Sequence, residues 1–196
     1  MIKRELIKPR KVVWIMRDFI NEIHGLTYLD VRIPCVEGET FDEWFERFCN
    51  ATEIEVPSQV KMVKREQGFA VCPSEKDYPE FSFYYNLEEL YSKGHKQFAQ
   101  DFFSRCPAGR GFASITITIL HELGHMNTQQ KFEGYNRIEA IENLEKNFPR
   151  ETINFEYFKL PDEKAATDWA IEWLSHPENR KKAKAFEKRF FECFRK

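Results

Sequence analysis

At 196 residues, 42% of them hydrophobic and 15% aromatic with 19 Phe, the chain is long and apolar enough to bury a core, which excludes a disordered tract. A net charge of −2 provides neither the basic surface of a dedicated nucleic-acid binder nor a general attraction to anionic membranes. No run approaches transmembrane length, and the apolar stretch in the basic start "MIKRELIKPRKVVWIM" is too short and too interrupted for a signal peptide.

The five cysteines, Cys35, Cys49, Cys72, Cys106 and Cys193, are scattered without a C-x-x-C pair and read as reduced thiols. The expected setting is therefore cytoplasmic. With no repeat, low-complexity tract or long linker, residues 1–196 are expected to form a single domain.

In chain order, residues 9–24 predict a first helix opening at Pro9 and ending before Gly25. "LTYLDVRI" at 26–33 reads as a strand. "TFDEWFERFCNAT" reads as a helix capped by Thr40, with Phe41, Trp44, Phe45 and Phe48 as its core stripe. Between 53 and 86 the runs "VKMVKR", "FAVC" and "EFSFYYN" predict a small, mostly antiparallel sheet. From 87 onward the chain reads as mostly helical. The order defines an α+β fold.

"SITITILHELGH" at 114–125 carries two conflicting signals. Its alternation from Ser114 to Ile119 is strand-like, whereas HELGH is the H-E-x-x-H pattern of zinc peptidases, expected on a helix. Metal geometry decides between them. Histidines four apart on a helix stand roughly 5–6 Å apart at Cβ, but on a strand they are separated by roughly 13 Å, too far for one ion. Residues 112–128 are therefore assigned to a helix, with Ile115, Ile117 and Ile119 buried in it. In that reading His121 and His125 bind Zn2+, and Glu122 takes the proton from a zinc-activated water.

A catalytic zinc site needs a third ligand. The metzincin continuation would require Gly and His where the chain has Thr128 and Lys131, so that class is excluded. Carboxylates further along are Glu133, Glu139, Glu142, Asp162, Glu163, Asp168 and Glu172. In "PDEKAATDWAIEWL" Pro161 opens a helix and Asp162 is its expected cap. Glu163, Ala166, Ala170 and Leu174 share one stripe, on which two alanines allow a neighbouring helix close. Asp168 lies about 140° away with Glu172, towards solvent. Phase favours Glu163 as the ligand, with Glu139 and Glu142 as rivals. The terminal "HPENRKKAKAFEKRFFECFRK" reads as a packed helix burying Phe186, Phe190 and Phe194 beneath a solvated basic face, not as a membrane or nucleic-acid element.

H-E-L-G-H followed by E-x-x-A-x-x-W-A-x-x-x-L, here Glu163, Ala166, Trp169, Ala170 and Leu174, resembles the zinc peptidases of the ImmA/IrrE type. Their second motif reads approximately E-x-x-A-N-x-F-A, its Glu being the third zinc ligand. The resemblance spans residues 112–174 at most. Thr167 stands where the family prefers Asn, Trp169 replaces Phe, and the gap between motifs is longer. It implies a compact zincin-like fold; characterised members act in the cytoplasm on regulators of mobile elements or stress responses. The partner expected is a peptide or protein substrate, with no nucleic acid and no membrane.

Peptidases of this kind hold substrate along a sheet edge, and "EFSFYYN" is the nearest candidate strand, with Phe81, Phe83 and Tyr85 on one side and Ser82, Tyr84 and Asn86 on the other. Tyr135 and His176 are candidates to steady an oxyanion, but no motif surrounds either and neither is assigned the role. The alternative function is a zinc-binding regulator or inhibitor of a phage or mobile element without turnover. The intact Glu122 argues against it, since an inert zinc site needs no base between its ligands. A nucleic-acid-associated peptidase of the SprT type is weakened by the lack of a cysteine-pair zinc ribbon.

Overall fold

The structure, a computed structural model, describes residues 9–24, 60–65, 68–73, 81–132 and 134–194. The strand expected at 26–33 and the aromatic helix beginning at Thr40 lie outside the described residues, as do Cys35, Cys49 and Glu133.

Helix α1 (Pro9–His24) starts at Pro9, whose fixed φ and missing N–H suit a first helical position. Its buried stripe is Val12, Ile15, Met16, Phe19 and Ile20. Three strands follow: β1 (Lys61–Lys64), β2 (Ala70–Pro73) and β3 (Phe81–Tyr85). They lie in the order β1-β3-β2. The sheet is mixed, which corrects the expectation of a mostly antiparallel one: β1 runs parallel to β3, with Met62 beside Phe83, and β2 runs antiparallel to it, with Val71 beside Phe83.

The order also corrects the placement of "EFSFYYN" at an edge. β3 carries the fully buried Phe83 and is paired on both sides, whereas the lysine-flanked β1 and the short β2 take the edges among the described residues. An apolar strand gains most from having both edges covered, and lysines are tolerated at an edge.

From residue 87 the chain is helical, as expected: a 3-10 turn (Leu87–Tyr91), α2 (Lys93–Arg105) capped by Ser92, α3 (Ser114–Thr128), α4 (Arg137–Asn147) capped by Asn136, α5 (Arg150–Tyr157), α6 (Pro161–Ser175) and α7 (Pro177–Glu192). Helix α3 is surrounded on all sides, and Ile115, Thr116, Ile117, Thr118, Ile119 and Leu120 are all buried. That burial resolves the strand-like alternation. The isoleucines fill the core, while the threonine hydroxyls between them are satisfied inside it: Thr116 donates to Glu187 Oε1 at 2.8 Å and Thr118 to Ser114 O at 2.8 Å.

Helix α3 begins at Ser114, two residues later than expected, and Ala113 at its start offers no capping side chain. Glu187 on α7 replaces it by accepting from the Ala113 amide. At α6 the expected cap is also different. Leu160 holds the cap position, Pro161 is the first helical residue, and Asp162 turns its carboxylate to Arg137 instead.

Helix α7 packs on α1 through Phe186, stacked on Phe19 at 4.3 Å between ring centroids, and Phe190 is also buried. Phe194 lies against Phe190 with ring centroids 5.3 Å apart. Cys106 and Cys193 are free thiols. No helix among the described residues is long and apolar enough to cross a membrane.

Helices α3 and α6 approach each other closely at Gly124 and Ala166. A Cβ added at Gly124 would lie 2.3 Å from Ala166 O and 2.8 Å from Ala166 Cα. At an exposed helical site Gly→Ala would stabilise by about 1 kcal/mol; here the sign reverses. Gly124→Ala is expected to destabilise the protein by about 3 kcal/mol, lowering the melting temperature by about 6–12 °C. Thermal denaturation followed by circular dichroism checks this, and an unchanged or higher melting temperature would refute the close approach.

Candidate metal centre

His121 and His125 stand one turn apart on α3, and Glu163 projects from the first turn of α6 where the two helices meet. His121 is 4% exposed and Glu163 1%. Glu163 Oε2 lies 3.0 Å from His121 Nε2 and 3.5 Å from His125 Nε2. The three ligand atoms all fall within 4.8 Å of one another. In a tetrahedral site with bonds of 2.0–2.1 Å, neighbouring ligand atoms are roughly 3.3 Å apart. The spacing fits, and this buried group could hold a metal ion.

Hydrogen bonding points the same way. Thr167 has a single hydroxyl hydrogen, which it donates to Glu163 O at 2.9 Å, so its oxygen accepts from His121 Nδ1 at 3.1 Å. That assignment places the proton of a neutral His121 on Nδ1 and leaves Nε2 as a bare lone pair facing the Glu163 carboxylate. Lone pairs converging in a buried site repel one another unless a cation lies between them.

The electrostatics show what the site asks for. Burial works against an ionised Glu163, but the adjoining His121 and His125 imidazoles outweigh it and hold the carboxyl well below the usual range. Burial likewise opposes a charged His125, and Glu163 overcomes it and raises the pKa. Burial pushes the Glu122 carboxyl up, with the two imidazoles opposing the rise. Phe98 sets its ring against His121 at 4.9 Å.

A cavity of about 880 Å³ opens above these groups. Its floor includes His121, Glu122, His125 and Glu163, and its walls carry Phe69 and Val71 from the β2 region, His95 and Phe98 from α2, and Arg137 and Tyr157 from the far side.

The remaining carboxylates go elsewhere. Glu139 and Glu142 are exposed on α4. Asp168 is exposed and pairs with Arg105 and, at 2.6 Å, with Lys164; Glu172 is exposed too. Asp162 is buried and bound to Arg137. Glu163 alone among the described candidates converges with the histidines. Tyr135 lines the cavity with its hydroxyl buried beside Asp162. His176 is exposed at the α6–α7 junction and is not part of the cavity wall.

Sequence reasoning passed over Thr167, Arg137, Tyr157 and His95. Thr167 left a usable trace, since it lies one turn beyond Glu163 and a hydroxyl there can back-bond to the carbonyl four residues earlier. His95 sits beside the site with Nε2 3.2 Å from Thr118 Oγ1, and burial lowers its pKa to about 4. Compared with protein-family models, curated proteins and solved structures, the chain matches none.

The centre sets a direct contrast. Glu163→Ala should weaken binding of a divalent transition metal by at least the roughly 10–100-fold typical of losing even an outer partner. Asp168→Ala should leave it within about twofold, since an exposed ion pair contributes at most about 1 kcal/mol to stability and does not reach the site. Calorimetric titration of both variants checks this, and equal losses would dissolve the assignment.

Proposed function

We propose that the chain is a zinc-dependent peptidase in which His121, His125 and Glu163 hold the metal and Glu122 is the general base. The observation that carries this reading is the convergence of two imidazole nitrogens and one buried carboxylate oxygen within 4.8 Å of one another, in a large cavity that Glu122 also lines. The two-motif resemblance to the ImmA/IrrE type supports it, because Glu163 and Ala166 of the second motif meet α3 and Ala170 is buried on the same helix. A zincin-like fold and action in the cytoplasm belong to the same proposal.

Bound zinc supplies Lewis acidity, lowering the pKa of a water to about 7 and polarising a carbonyl. The chain's own residues do the rest. Glu122 takes the proton of the attacking water and delivers it to the departing amine, a role suited to a carboxyl shifted up by burial. Phe98 packs His121 on one side and Thr167 holds its other nitrogen, so the imidazole presents Nε2 in one orientation. β2 replaces β3 as the strand that would seat an extended peptide. It is the sheet edge that packs on α3 beside the cavity, and its outer edge is unpaired among the described residues.

Purified protein is expected to carry about one zinc per chain, and the His121→Ala/His125→Ala double variant none. Glu122→Gln should keep the metal while losing peptide hydrolysis by roughly 10²–10⁴-fold, because an amide cannot accept the proton. Metal analysis paired with cleavage of a peptide library checks both. Full zinc retention by the double variant would end the metal reading. Stoichiometric zinc with no wild-type cleavage would favour the non-catalytic regulator.

A further inference from the structure

Arg137 opens α4 as its first residue, a position where the helix dipole disfavours a cation. The side chain is nevertheless bound on three sides. Nη1 donates to Asp162 Oδ2 at 2.6 Å, while Nη2 donates to Glu163 Oε1 at 2.5 Å and to the Tyr157 hydroxyl, whose ring lies 5.7 Å from the guanidinium carbon. The two carboxylates come from successive residues of α6 and the phenol from the last turn of α5, so three helices meet on one guanidinium. A planar fork can hold two carboxylates at once, which a lysine ammonium on a flexible stem does not reproduce.

The two oxygens of Glu163 are thereby divided. Oε2 faces His121 and His125, and Oε1 is occupied by Arg137. We infer that Arg137 is a positioning residue for the third ligand: by engaging Oε1 it fixes the plane of the carboxylate and presents Oε2 alone to the cation. This inference rests on the metal-centre reading above. Its consequence is a single-oxygen carboxylate ligand, which leaves a fourth position open for water or substrate instead of closing it with a second carboxylate oxygen. Asp162 anchors the guanidinium from behind and so acts through Arg137.

Cobalt(II) substitution separates this role from a merely structural tie between helices, because four-coordinate cobalt absorbs visible light several-fold more strongly than five- or six-coordinate cobalt. Wild type titrated with Co2+ is expected to bind about one ion per chain with an intense band. Arg137→Met, which keeps the apolar stem, should bind Co2+ roughly 10–100-fold more weakly and lose most of the band intensity as both Glu163 oxygens become available. Asp162→Asn should shift both readouts in the same direction by less.

If Arg137→Met does not fold by circular dichroism, Arg137→Lys takes its place. That variant keeps the charge and loses the fork, and intermediate affinity with a weakened band is expected. Wild-type affinity and spectrum in a folded Arg137→Met, or in Arg137→Lys where that stands in, would overturn the inference while leaving the metal centre intact. Failure of the wild type itself to take up Co2+ would overturn the metal-centre reading and the inference with it.

Discussion

Ala166 presents its backbone where a side chain at position 124 would begin, and this contact sets the distance between α3 and α6. A glycine on one helix and a small residue on the other let the backbones close up, and one turn before Ala166 on α6 is Glu163. The carboxylate side chain is short. With the helices held apart by a larger residue at either position, it would fall short of the imidazoles on α3. The spacing of 3.0 and 3.5 Å between ligand atoms is thus a consequence of two small residues that bind nothing themselves. Ala170 and Leu174 continue the same buried stripe along α6 beyond the site.

Much of this was legible in the sequence because it depends on local periodicity. The helical phase from Glu163 to Leu174 separates the buried carboxylate from Asp168 and Glu172 without any knowledge of α3. The helix at 114–128 needed a chemical constraint to override its alternation, since propensity alone favours a strand there; burial on every side is what allows Ile and Thr to alternate on a helix. The aromatic face of α7 was likewise visible as a stripe, and α1 was marked by Pro9 at its start and Gly25 after its end.

Strand order was not legible, because pairing is decided by contacts between distant residues. The short link between β1 and β2 suggests a hairpin, yet β3 inserts between them, so that the strand carrying the fully buried Phe83 has both edges covered. Asp162 misled for a related reason. A carboxylate at a helix start is ordinarily a cap, and only the tertiary position of Arg137 turns it elsewhere. Arg137 itself left a faint trace, as the wrong charge at the first position of a helix that Asn136 caps. Departures from local rules gather around the centre: a glycine inside a helix, a buried glutamate and a cation at a helix start.

Glu187 accepts from the amide of Ala113, just before α3, and from the Thr116 hydroxyl across sequence separations of 74 and 71 residues. Its negative charge also lies where the helix dipole is positive. The helix that presents the histidines therefore has no cap in its own neighbourhood, and Lys184, 2.8 Å from Glu187 and bonded to Gly111 O, ties the same corner together. During synthesis, α3 emerges from the ribosome well before the residue that secures its beginning. Until α7 has been made and has docked, the histidine-bearing helix lacks this anchor at its start.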